Sequence, residues 1–276
     1  MSRKRIASTI APVILLITLG LFWIIPLAWT VLAAFVPTTQ LLNGTPLDWV
    51  QNLTFQAFRE AWSVAPFARY YVNTIIFVFG LLFLQLIAIS LAGFALARMK
   101  VMGMGFVFFL FLTQLMVPGS VLLLPNYQTI ARLGWLDSYQ AMMAPYFASA
   151  FGTFLMRQAF KQVPKELEEA ARMDGANALQ ILWHVFIPVT RASLVAFSIV
   201  SIAYHWNEFL WPLLVTSTVR SRPLTVGLAL LTQMSETGAQ WDQLAAGTLI
   251  VAAPVLILVI ILQKQFTQSF LSSGIK

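Results

Sequence analysis

From Ile6 to Val36 the chain runs for 31 residues without one charged side chain. A helix needs about 20 apolar residues to cross a bilayer, and the apolar core of a secretory signal is only about 7–15 residues long. Although Arg3-Lys4-Arg5 ahead of the run mimics a signal peptide, its length points to a first transmembrane helix retained in the mature chain. Pro12 and Pro26 are expected to bend it. Uncharged stretches recur, and the expected spans are roughly 10–36, 71–97, 105–125, 138–158, 192–215 and 243–263. The third run, Val101 to Ala131, exceeds one span; Pro118-Gly119 and Pro125 interrupt it, so its far end is expected to be irregular backbone lining a cavity.

Charge usage agrees with burial in lipid. Only 10% of residues are charged, against about 25% in soluble domains. The formal charge of +7 comes from basic residues scattered along the connecting segments, which is no footprint for nucleic acid. Six spans put both termini on one side of the membrane. That side collects Arg3, Lys4, Arg5, Arg98, Lys100, Arg157, Lys161, Lys165, Arg172, Arg191, Lys264 and Lys276, which is 12 of the 17 Lys and Arg residues. The positive-inside bias therefore assigns both termini to the cytoplasm, with the 98–104 and 159–190 loops. Cysteine is absent, which removes disulfides, thiol nucleophiles and cysteine-ligated metals. Loops of about 30–35 residues leave no room for a separate soluble domain of about 50, so residues 1–276 are expected to form one membrane domain.

Two polar segments stand out. Phe55, Phe58 and Trp62 share one helical face and are expected to mark a helix lying in the membrane interface, in contact with lipid. Trp49, Trp135, Trp211 and Trp241 are placed as an aromatic belt at span ends. The more informative segment is 159–190. Pro164 suits a first helical position. Glu166, Glu168 and Glu169 follow, where carboxylates meet the positive end of the helix dipole. Lys165 and Glu169 are spaced to pair. Asp174-Gly175 reads as a stop with a left-handed turn, and Asn177 with Gln180 forms a capping-box pattern for a second helix, broken at Pro188. The expected element is two short helices at an angle, with small residues that let another protein come close.

The spacing of Glu169-Ala170-Ala171, three residues, Gly175, then Val185-Phe186-Ile187-Pro188 resembles the signature loop of permease subunits of binding-protein-dependent ABC importers. Val185 and Ile187 stand where Ile and Leu are usual. Further segments are similar to the smaller six-span subunit of the maltose-type carbohydrate permeases. They are Ala92-Gly-Phe-Ala-Leu-Ala-Arg98, Val117-Pro118, Leu124-Pro125-Asn126-Tyr127, Trp206-Asn-Glu-Phe-Leu-Trp-Pro212 and Gln263-x-x-Phe266. The resemblance implies an all-α integral membrane fold of six helices with a cytoplasmic coupling helix. It implies half of a translocation pathway in a bacterial or archaeal cytoplasmic membrane. The implied partners are a second homologous permease, two ATPase subunits that use ATP and Mg, and an extracytoplasmic sugar-binding protein. Coupling to the ATPases would run through Glu169, Ala170, Ala171, Arg172, Asp174 and Gly175.

Chemistry within the chain itself is not expected. No glycine precedes a lysine, so the phosphate loop G-x-x-x-x-G-K-[ST] is missing. His184 and His205 have no metal-ligand spacing and read as structural. Asn73, Asn207 and Glu208 are candidates to line the translocation path. Glu208 reads equally as a carboxylate ordering its span through neighbouring backbone, and Asn73, Gln85 and Gln114 as helix–helix hydrogen-bonding groups. An ion-coupled secondary transporter would need paired intramembrane ionisable groups, and Glu208 has no match in the first half. A glycerol-phosphate compound fits the resemblance as well as a sugar does.

Overall fold

The computed structural model describes residues 3–99, 101–235 and 240–274. Of the residues used above, Lys100 and Lys276 lie outside this description, as do the side chains of Arg3, Lys4, Arg5, Gln263, Lys264 and Phe266. In chain order the helices are α1 Arg3–Phe35, α2 Thr38–Asn43, α3 Pro46–Gln51, α4 Gln56–Val64, α5 Phe67–Arg98, α6 Met104–Met116, α7 Gly119–Arg132 and α8 Tyr139–Met143. Then follow α9 Ala150–Gln162, α10 Lys165–Met173, α11 Ala178–Val189, α12 Arg191–Trp206, α13 Leu210–Val215, α14 Leu224–Ser235 and α15 Trp241–Gly274. No strand occurs among the described residues.

Three helices are long and apolar enough to cross a membrane, within α1, α5 and α15; two bent pairs raise the number to five if each counts as one span. The interruptions are the main departure from the expected spans. The third run is two helices, α6 and α7, meeting at 103°. Pro118 caps α7 without an N–H to give, and forces Val117 into extended backbone (φ −82°, ψ 119°). The expected irregular far end is therefore a second helix, which continues through Pro125. The expected fourth span at 138–158 is α8, a 3₁₀ turn at Ala144–Tyr146 around Pro145, and α9. Ser138 and Ser149 cap the two pieces by accepting from Ala141 N and Gly152 N. The fifth is α12, a break at 207–209, then α13.

The chain divides into two compact units. One comprises Met1–Pro66 and Gly227–Pro254, the other Phe67–Val226 and Val255–Lys276. In the first, Pro12 and Pro26 bend no break into α1, which is continuous to Phe35. The Phe35 ring meets Phe55 and Phe58 edge-on or tilted, each at 5.1 Å between centroids. The buried face of α4 is Ala57 and Ala61, while Phe55 and Trp62 are exposed. Small side chains thus let α4 approach α1 closely, and leave Phe55 and Trp62 on its open side. Thr38 Oγ1 donates to Asp242 Oδ1 at 2.7 Å, and Gln243 Nε2 to Glu60 Oε2 at 2.6 Å, joining the start of α15 to α2 and α4.

The second unit is organised around α5. Gly93 brings α9 close: a Cβ there would meet Met156 Cβ at 2.9 Å and Arg157 N at 3.2 Å. Gly152 does the same from α9, where a Cβ would meet Phe197 and Ile89 at under 3 Å. Small residues allow such backbone approach where lipid offers no hydrophobic drive for helix association. Trp211 is 1% exposed and donates Nε1–H to Ala141 O at 3.0 Å. It belongs to the core and not to an aromatic belt.

Candidate coupling loop and membrane-depth cavity

The 159–190 loop forms α10 and α11, and its turn is a Schellman motif. Gly175 has φ +84°, its N–H donates to Arg172 O at 3.0 Å, and Ala176 N donates to Ala171 O at 3.0 Å. A Cβ on Gly175 would meet nothing within 4 Å, so the glycine is required by backbone conformation alone. Asn177 and Gln180 form the expected reciprocal cap of α11, at 3.0 and 2.8 Å. Two local expectations are corrected. Pro164 is the N-cap and not the first helical residue. The second helix passes Pro188 and turns by 79° at Thr190. A widened π turn at Leu182–Phe186 precedes Pro188, which gives room where an ordinary turn would clash with the proline ring. Thr190 Oγ1 ends the helix by donating to Phe186 O at 2.7 Å.

The charges of α10 are arranged differently from the expected Lys165–Glu169 pair. Arg172 pairs with Glu168 at 2.8 Å, and Glu four residues ahead of the cation is the favoured order on a helix. Glu168 also faces Arg98, at 3.7 Å, with side chains only 12% and 9% exposed. Arg98 ends α5; it donates to Phe160 O at 2.8 Å and to Val163 O, closing the C-terminus of α9, and lies 4.9 Å over the Phe186 ring. One guanidinium thus joins α5, α9, α10 and α11. Glu169, Ala170, Arg172, Asp174 and Gly175 are exposed, and Ala171 half-buried. The sequence reading did not join Glu168 to Arg98 or Arg172, and it passed over Met173, which is 87% exposed. The favoured Glu168–Arg172 spacing was a usable signal for the first; an apolar side chain closing a charged helix was the signal for the last.

The proposed path residues do not come together. Asn73 is fully buried, with Nδ2 donating to Val219 O (3.0 Å) and Arg222 O (2.7 Å), and Oδ1 accepting from Tyr139 Oη (2.7 Å). Asn207 turns Nδ2 back to Ala203 O at 2.8 Å. Glu208 Oε1 accepts from Trp211 N at 3.3 Å, and its carbonyl accepts from Thr225 Oγ1 at 2.7 Å. It therefore orders the break at 207–209. A cavity of about 280 Å³ forms elsewhere, beside the breaks of α6, α8 and α12, lined in part by Gln85, Gln114, Tyr146, Ser149, Tyr204 and His205. The interruption after α8 frees the carbonyl of Tyr146, which accepts from Gln85 Nε2 at 2.8 Å. Gln85 Oε1 accepts from Ser201 Oγ at 2.6 Å. Irregular backbone at membrane depth is tolerated where protein satisfies it.

The long apolar helices, the interruptions and the protruding helical loop define an all-helical membrane permease. Residues 86–271 match the binding-protein-dependent transport system inner membrane component family, and the chain belongs to it. The sn-glycerol-3-phosphate transport system permease protein UgpE of Yersinia enterocolitica is 32% identical over 209 residues, 76% of this chain and 74% of that one. UgpE of Salmonella choleraesuis is 31% identical over 238 residues, 86% and 82% of the two chains. The fold matches a chain of a bacterial ABC transporter involved in importing the acidic polysaccharide alginate, with TM-score 0.85, 24% identity, and 96% and 98% coverage.

Proposed function

We propose that this chain is one permease half of an ATP-driven importer for a carbohydrate or a related polyol compound. It pairs with a second homologous permease and with two ATPase subunits, which use ATP and Mg, and receives solute from an extracytoplasmic binding protein. The observation that carries this reading is the two-sided build of α10. Its free side presents Glu169, Ala170, Met173, Asp174 and Gly175 to a partner, while Glu168 and Arg98 tie its other side to α5, with Arg172 exposed beside Glu168. Relatives named as permeases of a transport system support it. So does the likeness to a bacterial alginate ABC transporter held with a pentasaccharide-bound periplasmic protein, at TM-score 0.66. In this reading α10 seats in a cleft of one ATPase subunit on the cytoplasmic side, and closure of the ATPases moves α5 and α9 through Arg98.

The test is reconstitution of the complex in liposomes with its binding protein. Uptake should require ATP, and Glu169→Lys should abolish stimulation of ATP hydrolysis by loaded binding protein without loss of assembly. Cysteines placed singly at Thr45 and Met173 should label from the outside and from the cytoplasm, respectively. Accumulation of solute by this chain without any ATPase, or wild-type uptake by Glu169→Lys, would overturn the reading.

A further inference from the structure

We infer that the cavity beside the helix breaks is a solute subsite of this chain, built for an uncharged polyhydroxylated unit and unfavourable to a phosphate ester. The inference rests on reading the chain as a permease half. Gln85 lies about 27 Å from Phe67 and about 20 Å from Arg98 along the 32-residue helix α5, at 1.5 Å per residue. The cavity therefore sits well inside the hydrocarbon layer. At about 280 Å³ it is near the lower bound of ligand pockets, about 300 Å³, and suits one small polyol or one sugar unit of a longer chain.

Its polar groups fall into a defined pattern. The Ser201 hydroxyl proton is committed to Gln85 Oε1. His205 Nδ1, 2.8 Å from Ser201 O, must then carry the ring proton as a donor, which leaves Nε2 of the neutral imidazole as an acceptor. Ser149 Oγ accepts from Gly152 N, so its own proton is free to be donated. Among the described residues no hydrogen bond engages the Gln114 amide, which offers both donor and acceptor. Tyr146, Tyr204, Phe151 and Phe197 supply aromatic walls. Hydroxyl groups both donate and accept, and the carbon face of a sugar packs on aromatic rings, so both parts of such a solute are met.

A phosphate monoester carries about −1.5 to −2 charges near neutral pH and has acceptor oxygens to satisfy. Among the described residues no Lys or Arg lines the cavity. Arg157, seven residues along α9 from Ala150, is held 3.7 Å over the Phe108 ring. Glu208 follows the cavity-lining His205 by three residues, so the ionisable side chain next along the chain from this wall is a carboxylate. Burying an unpaired dianion in a site without a cation is opposed, whereas a neutral polyol meets no such cost.

The test uses the assembled complex in liposomes and diethyl pyrocarbonate, which acylates a free imidazole nitrogen. Acylation of His205 and His184 is followed separately by peptide mass spectrometry, with exposed His184 as the control in the same chain. A panel of neutral mono-, di- and trisaccharides is compared with sn-glycerol 3-phosphate. At least one neutral sugar should slow acylation of His205 severalfold and leave His184 unchanged, while sn-glycerol 3-phosphate protects neither. Gln114→Leu should raise the half-protecting sugar concentration about tenfold, equivalent to about 1.4 kcal/mol. Failure of every neutral sugar to protect His205, equal or better protection by sn-glycerol 3-phosphate, or no shift in Gln114→Leu overturns the inference. ATP-driven uptake in the same liposomes is read independently, so loss of the importer reading is distinguished from loss of the subsite.

Discussion

The two ends of α5 are both fastened by side chains that reach backbone carbonyls, yet with opposite chemistry. At the Phe67 end, neutral Asn73 holds the carbonyls of Val219 and Arg222 and the Tyr139 hydroxyl, and Thr74 Oγ1 accepts from Leu224 N at 2.9 Å. At the other end Arg98 holds Phe160 O and Val163 O, but also the Glu168 carboxylate and the Phe186 ring. The amide bonds through both its nitrogen and its oxygen and fixes one connector to one helix. The guanidinium carries charge, spans four helices and leads to a partially exposed element. An amide suits a joint that stays closed; under the proposed function, a charged, multi-partner group suits a joint that passes a force from α10 to α5.

The largest expected effect comes from Arg98→Ala. Removing one member of a mostly buried charge pair costs about 3–5 kcal/mol, and here it also removes the side-chain donor to Val163 O, while Phe160 O keeps its bond from Val163 N. ATP hydrolysis by the complex should lose its response to loaded binding protein, and Arg98→Lys should restore only part of it because one ammonium cannot reach all four partners. Full stimulation in Arg98→Ala would erase the distinction between the two ends.

Asn73→Leu ranks next. Each buried group left unpaired costs about 1–3 kcal/mol, so the purified complex should melt at clearly lower temperature. Its ATP hydrolysed per solute transported should nevertheless match wild type below the melt. A changed coupling ratio would show that the Phe67 end transmits force as well.

Gly175→Val should be milder for stability. The left-handed backbone costs a residue with a Cβ about 1–2 kcal/mol, and no clash adds to it because the site is open. Copurification of ATPase subunits should fall, and Gly175→Asn should retain most of it, since Asn tolerates this conformation. Equal loss in both variants would point to packing against the partner instead of turn geometry.

The smallest effect concerns Asp137, which ties the 133–138 connector to 217–221. Burial alone would raise its carboxyl pKa. Hydrogen bonds from the hydroxyls of Ser221 and Thr218 and the N–H groups of Ser217 and Thr218 outweigh that and hold it well below the usual carboxylate range. A depressed folded pKa gives stability that is present above the unfolded value, about 3.9, and lost only as pH falls through the lower folded value. Asp137→Asn should therefore lower the melting temperature slightly, by the same amount at pH 7 and pH 5. A gap that closes by pH 5 would contradict the assignment.

Much of the loop was legible because its determinants are local. Asp174-Gly175 and Asn177-x-x-Gln180 act within a turn or two of themselves, and both the positive φ and the reciprocal cap occur where the spacing placed them. The apolar runs likewise identified a membrane chain, since length against bilayer thickness needs no tertiary information. Where the runs break was only half visible: Pro118 marks a break, but the 103° bend and the helix beyond it depend on what packs there. Asn73, Asn207 and Glu208 were singled out as polar groups in apolar surroundings, and such a group has two outcomes that sequence does not separate. It can face a path, or it can satisfy neighbouring backbone; all three bond backbone, Asn73 fully buried, Asn207 exposed and Glu208 half-buried. Gln85, Ser201 and His205 come from helices 116 residues apart in sequence for the Gln85–Ser201 bond alone, and no local pattern joins them. The sequence by itself determined a multi-pass membrane chain with a capped, charged loop, because periodicity, length and capping act over a few residues. The tertiary structure decided which polar side chains close on backbone and which border a cavity, because that choice is made by partners brought together only when the helices pack.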